Sequence, residues 1–146
     1  MKTAKEVSRR DFIARGAKTA AMGAVMSSAA SGNALGANDR INVAIIGIRS
    51  RGMQQAREWV KIPGVHIATL CDPDENLFPE RVKEIEELQG KKPKTEFDLR
   101  KVYEDKNIDA VSIATCDHWH ALATIWACQA GKHVYVEKPT SHNIWE

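Results

Sequence analysis

The chain has 146 residues, 43% of them hydrophobic and 27% charged, an ordinary globular mixture long enough for one domain. Its formal charge of +2 joins two unlike parts: residues 1–37 carry 6 basic and 2 acidic groups, leaving 15 basic (21 less 6) and 17 acidic (19 less 2) for residues 38–146. That body mixes its charges without a basic stripe, which argues against a nucleic-acid surface.

The opening reads SRRDFIARGAKTAAMGAVMSSAASGNALGAN from Ser8. A basic start, the pair Arg9-Arg10 ahead of Asp11-Phe12-Ile13, and an Ala/Gly/Ser-rich apolar run resemble a twin-arginine export signal. Lys18 interrupts the run, which is too weakly apolar to span a bilayer. Ala34-Leu35-Gly36 is the expected cleavage region, with Ser28-Ala29-Ala30 as a second candidate. The expectation is a signal over residues 1–37 and a domain over 38–146, with the export machinery as partner and the periplasm or exterior as destination after folding in the cytoplasm. The alternative is a basic N-terminus without targeting meaning.

From Arg40 onward short apolar runs alternate with helical periodicity. INVAIIG (residues 41–47) is a near-continuous β-branched run, as for a strand covered on both faces. Residues 53–60 predict a helix closed by Pro63-Gly64, and VHIATLCD a second strand. A helix over 76–89 has Leu77, Val82, Ile85 and Leu88 on its apolar side and ends at Gly90. A short strand at 94–97, a helix at 99–104 and a strand at 108–115 follow. The last helix, 118–130, is capped by Asp117 and closed by Gly131, and HVYVEK is the final strand. This order predicts an α/β fold with a doubly wound parallel sheet, because parallel neighbours need crossover helices. Ligands of such sheets bind beyond the carboxyl ends of the strands, so the informative residues should follow each strand.

After the first strand comes GIRSRG, residues 47–52. Against the dinucleotide fingerprint G-x-G-x-x-G, Gly47 and Gly52 match and Arg49 replaces the middle glycine. Gly47, Arg49, Ser50, Arg51 and Gly52 are the candidate pyrophosphate-binding residues, either arginine offering a fork of donors to phosphate. A purely structural turn is the alternative. Asp72 ends the second strand 20 residues past Gly52, where a carboxylate can accept from both ribose hydroxyls and favour NAD over NADP. The alternative is a helix-capping or turn aspartate before Pro73, and the two arginines keep NADP open. After the fourth strand, Thr115 and Cys116 of ATCDHWH are expected against the nicotinamide half, Asp117 is placed to cap the next helix, and His118 and Trp119 are expected to wall the cleft. His118 and His120 stand two apart on a predicted helix and diverge, so no metal site is expected. Cys71, Cys116 and Cys128 form an odd set without metal spacing and are read as packing residues. After the fifth strand, Glu137 and Lys138 precede Pro139. A lysine there can reach a substrate hydroxyl and stabilise negative charge on oxygen, although in isolation a surface lysine before a turn proline is the simpler reading.

Taken together, GxxxxG, LCDPDE, DAVSIAT, DHWHA and AGKHVYVEKP resemble the nucleotide-binding half of the glucose–fructose oxidoreductase/inositol dehydrogenase (Gfo/Idh/MocA) family over residues 40–146. The resemblance implies that Lys138 is catalytic, that the 47–52 loop holds the pyrophosphate, that Asp72 contacts ribose, and that residues 115–118 border the nicotinamide. Arg49 and Cys116 depart from the family's glycine and proline. The family continues with a second α/β domain that supplies substrate contacts, so the chain is expected to be truncated before it. The implied activity is hydride transfer between a nicotinamide cofactor and a sugar, inositol or related polyol in an exported oxidoreductase, with little turnover from this segment alone. An NAD-dependent glycosidase of the same family and a non-catalytic nucleotide-binding remnant stay open, as does a homo-oligomer of the full-length form.

Overall fold

The protein is described by a computed structural model covering residues 40–145, so the expected export signal lies outside the described residues. Five strands form one sheet: β1 (Ile41–Ile46), β2 (Val65–Cys71), β3 (Lys94–Glu96), β4 (Ala110–Ile113) and β5 (His133–Val136). Four α-helices connect them: α1 (Ser50–Val60), α2 (Phe78–Gln89), α3 (Leu99–Glu104) and α4 (His120–Gln129). Every pairing is parallel and the order is β3-β2-β1-β4-β5, so the winding reverses between β1 and β4. This is the doubly wound sheet that the alternation of elements predicts.

Strand residues alternate between two buried layers. Val43 and Ile45 of β1 pack with Met53, Ala56, Val82 and Ile85 of α1 and α2. Ala44 and Ile46 face the opposite layer, with Val102, Tyr103, Ala123 and Ala127 of α3 and α4. Burial on both faces explains why β1 reads as unbroken hydrophobic sequence rather than as alternation.

Several boundaries differ from the sequence expectations for local reasons. Helix α1 begins at Ser50, three residues early, because Gly52 in its first turn hides the helical pattern. Residues 75–77 form a 3-10 turn, so α2 proper starts at Phe78 with Pro79 in the first turn, where a missing N–H costs nothing. Leu88 is exposed rather than packed. The inward face of α2 runs instead through Val82, Ile85 and Gln89. The Gln89 amide accepts from the Ile67 N–H (3.0 Å) and donates to the Ile67 carbonyl (2.9 Å). β3 pairs with β2 only from Thr69, so Gln89 supplies the partner that a longer strand would have given Ile67. Cys71 is buried as expected, but Cys116 and Cys128 are exposed and are not core residues, one following β4 and the other on the outer side of α4.

Asp98 caps α3: its Oδ1 accepts from the Arg100 N–H at 3.0 Å, and the Arg100 guanidinium donates to Oδ2 at 2.6 Å. That guanidinium, followed by the backbone N–H, pushes the Asp98 carboxyl down to about 2 from its ordinary 3.8. A carboxyl depressed in the folded state adds stability that is complete above its unfolded value and lost as pH falls through the folded one. Urea unfolding should therefore show stability declining between pH 4 and pH 2. Asp98→Asn, which keeps a capping oxygen, should flatten that decline; an unchanged slope would remove Asp98 from the acid response.

Candidate functional site

The carboxyl ends of β1, β2, β3 and β4 open into one cleft of about 720 Å³, at the reversal of strand order. Both its position and its size suit a cofactor site in a doubly wound sheet. Two close backbone approaches set its floor. Gly47 has φ +84°, and a Cβ there would lie 2.7 Å from the Ala114 carbonyl oxygen at the β4 tip. A Cβ on Gly52 would lie 1.7 Å from the Gly47 carbonyl oxygen, so the helix start can fold against the loop only if that side chain is absent. Arg49 has an ordinary extended backbone (φ −77°, ψ −160°), so the conformation of the loop itself does not require glycine at the fingerprint's middle position. The first turn of α1 follows directly, and the unpaired N–H groups and partial positive charge of a helix start suit a diphosphate.

Asp72 is 5% exposed and ties three loops together. Its Oδ2 accepts from the Ile48 N–H of the glycine loop (3.0 Å), its Oδ1 from the Asp74 N–H (2.9 Å), and its own N–H donates to the Glu96 carbonyl of β3 (3.2 Å). The carboxylate thus braces the loops and also lines the cleft. A carboxylate has about four acceptor positions, so two donors leave room for a ligand hydroxyl.

Of the residues singled out in the sequence, Gly47, Arg49, Asp72, Thr115, Cys116 and His118 line this cleft, together with Trp119. Ser50, Arg51, Gly52, Asp117, Glu137 and Lys138 are not among its lining residues. Arg51 donates through Nε to Glu137 Oε2 at 2.6 Å and through Nη1 to Gln54 at 2.8 Å, so its guanidinium holds a protein carboxylate. Gln55 donates to the same Glu137 oxygen at 2.7 Å. These contacts, the Arg51 bond foremost, keep the Glu137 carboxyl below its usual range. The series continues inward: Ser112 Oγ donates to the Gln55 side-chain Oε1 at 2.8 Å and accepts from Trp59 Nε1 at 3.2 Å. Three parts of the fold, α1, β4 and the end of β5, are joined by one directed line of hydrogen bonds that ends one residue before the exposed Lys138.

Asp117 does not cap α4. It opens a 3-10 turn over residues 117–119, accepts from the His118 N–H at 2.8 Å, and faces His142 Nδ1 at 3.2 Å. Helix α4 starts only at His120, whose buried ring lies between two carbonyl oxygens, those of Pro139 (2.6 Å) and Thr115 (3.1 Å). His120 therefore does more than fill space: it links the β4 tip to the cis Lys138-Pro139 peptide beyond β5. His118 is exposed while His120 is buried, and among the described residues no three His, Cys, Asp or Glu side chains converge on a metal position.

The sequence reading missed the contribution of the β3 end. Phe97, Asp98, Leu99 and Arg100 line the cleft, as do Asp74 after β2 and Trp126 of α4. The strand expected at 94–97 and the rule that ligands gather beyond strand tips together point to residues 97–100, but no recognisable motif in that stretch marks them. Trp126 packs edge-on to Trp119 (6.5 Å between ring centroids), making an aromatic wall.

Residues 41–146 match the Gfo/Idh/MocA family, described as "Oxidoreductase family, NAD-binding Rossmann fold", and the chain belongs to that family. The bare glycine cradle, the helix start and the cleft fit the cofactor that the family binds, NAD. Among curated proteins, a glycosyl hydrolase family 109 protein of Bacteroides thetaiotaomicron is 35% identical over 119 residues, 74% of this chain and 25% of its own length. One from Shewanella sp. (strain ANA-3) is 30% identical and aligns with 94% of this chain and 35% of its own. Among solved structures, myo-inositol 2-dehydrogenase of Lactobacillus plantarum superposes with a TM-score of 0.62 at 30% identity, over 72% of this chain and 30% of that one. The scyllo-inositol dehydrogenase of Lactobacillus casei, solved with NAD(H) and scyllo-inositol bound, gives 0.61 at 25% identity, over 73% and 30%. The chain spans roughly a quarter to a third of the length of these relatives.

Two substitutions test this construction. Gly52→Ala places a methyl group inside the Gly47 carbonyl and should destabilise by about 1–3 kcal/mol or more, the usual cost of overpacking, seen as a lowered Tm. Gln55→Leu leaves the buried Ser112 hydroxyl without its acceptor and should cost about 1–3 kcal/mol in urea unfolding; a loss within error would show that the line of bonds carries no stability.

Proposed function

We propose that this chain is the dinucleotide-binding part of an exported enzyme that works on a sugar, inositol or related polyol. The observation that carries the reading is the cleft at the strand reversal, floored by Gly47 and Gly52 and edged by Asp72. NAD supplies hydride exchange with the carbon bearing a substrate hydroxyl. The 47–52 loop and the start of α1 bind its diphosphate through backbone N–H groups, and Asp72 accepts from the adenosine ribose. Thr115, Cys116 and His118 border the nicotinamide half, and Trp119 with Trp126 keeps water from that side of the cleft.

Lys138 is the proposed catalytic residue. Its ammonium, just past the β5 tip, would bond the reacting hydroxyl and stabilise negative charge on that oxygen. Its neighbours hold it: Glu137 is fixed by Arg51 and Gln55, and the Pro139 carbonyl by His120. The groups that recognise the polyol are not named by the cleft lining, which is why turnover by the 146-residue chain alone is expected to be low. Export rests on the Arg9-Arg10 segment, and the Shewanella relative aligns with 94% of the chain, which takes in most of that leader-like region.

A second reading has its own support, the names of the curated relatives as glycosyl hydrolase family 109 proteins. A glycosidase that uses bound NAD transiently would need the same cleft and the same lysine. Products separate the two: NADH accumulating with a polyol marks a dehydrogenase, and free sugar from a glycoside without net NADH marks a glycosidase. The first measurement is an NADH titration of this chain followed by nucleotide fluorescence. Saturable binding is expected, with neither product formed at an appreciable rate. Absence of binding would end the dinucleotide reading, and rapid turnover would end the assignment of the polyol contacts to groups outside the cleft.

A further inference from the structure

We propose that Asp74 selects between the two nicotinamide dinucleotides by holding Arg49, and that this pair, rather than Asp72 alone, keeps the site specific for NAD. The inference rests on the dinucleotide reading of the cleft. Arg49 stands where the fingerprint has its middle glycine, and its side chain leaves the loop toward the β2 tip. There Arg49 Nη2 donates to Asp74 Oδ2 at 2.8 Å, and both residues line the cleft. The β2 tip is where a doubly wound sheet meets the adenosine ribose, and where a nearby arginine accommodates the extra phosphate of NADP.

The charges around that point decide which cofactor fits. Asp72 and Asp74 contribute two negative charges and Arg49 one positive, so a phosphate arriving there meets a net negative wall. The other cleft-lining cation, Arg100, is engaged by Asp98 through contacts of 2.9, 3.1 and 2.6 Å. Asp72 cannot be the adjustable member, because both its oxygens hold backbone N–H groups that shape the cleft. Asp74 can be. Its Oδ1 caps the short turn, accepting from the Asn76 N–H (3.3 Å) and side-chain amide (3.0 Å), and only Oδ2 serves Arg49. The Arg49 side chain is 68% exposed, so it can swing without repacking the core. Neutralising Asp74 removes one repelling charge and frees a guanidinium whose fork matches a phosphate.

Three proteins and two ligands test this: the chain, Asp74→Asn and Asp74→Asn/Arg49→Leu, each titrated with NADH and NADPH by nucleotide fluorescence. Asp74→Asn keeps the capping oxygen, and Asp74→Ser, which also keeps it, serves as a second variant should the first unfold early. The chain should bind NADH more tightly than NADPH. Asp74→Asn should tighten NADPH by about tenfold or more, as expected for one new charge-assisted contact, with NADH changed by no more than about twofold. Adding Arg49→Leu should abolish the gain, and the gain itself should shrink as salt is raised. An unchanged NADPH-to-NADH ratio in both Asp74 variants would overturn the proposal, as would a gain that survives removal of Arg49. Binding of neither nucleotide by the unmodified chain would instead overturn the cleft reading, and this inference with it.

Discussion

The architecture depends on backbone meeting backbone where side chains would ordinarily intervene. Gly47 lies against the Ala114 carbonyl of β4, and Gly52 against the carbonyl of Gly47. These contacts bring the tips of β1 and β4 and the start of α1 to one point. Asp72 then ties in the neighbouring tips: its buried carboxylate accepts from the Ile48 and Asp74 N–H groups, and its own N–H donates to the Glu96 carbonyl of β3. Because every bond involved is local to the strand tips, the cleft is a property of the sheet's ends rather than of any one loop.

This explains why the two termini of the fingerprint hold while its centre is free. Its first and last glycines answer steric demands that are measurable as distances. Its middle position has an ordinary extended backbone here, so an arginine fits, and the side chain extends to Asp74. What would have been a bare position in the loop becomes a charged contact at the β2 tip.

Much of this was legible in the sequence, and the residues show why. Runs such as INVAII and AVSI are β-branched and apolar because both faces are covered, and their strands sit within about two residues of expectation. Gly47, Asp72 and Thr115 fall at the cleft because they directly follow strands. The partnership of Arg51 with Glu137 was not legible: it spans 86 positions, and nothing in either residue's neighbourhood names the other. Leu88 is exposed and Gln89 turns inward because a short β3 leaves Ile67 without a partner on that side, a fact of sheet length that helical periodicity cannot carry. The segment around residues 117–120 reads as one helix in sequence, but a 3-10 turn precedes α4, and the turn is what brings His120 between two carbonyls.

The three cysteines have separate fates. Burial pushes the Cys71 thiol up to about 12, so it stays protonated and shielded at neutral pH, while Cys116 and Cys128 are open to solvent. Cys116 stands on the rim of the cleft and Cys128 on the far flank of α4. A maleimide dye would therefore divide between a location that senses an incoming nucleotide and one that does not. With Cys128 changed to serine, the molecule would carry its own optical reporter at the mouth of the cleft.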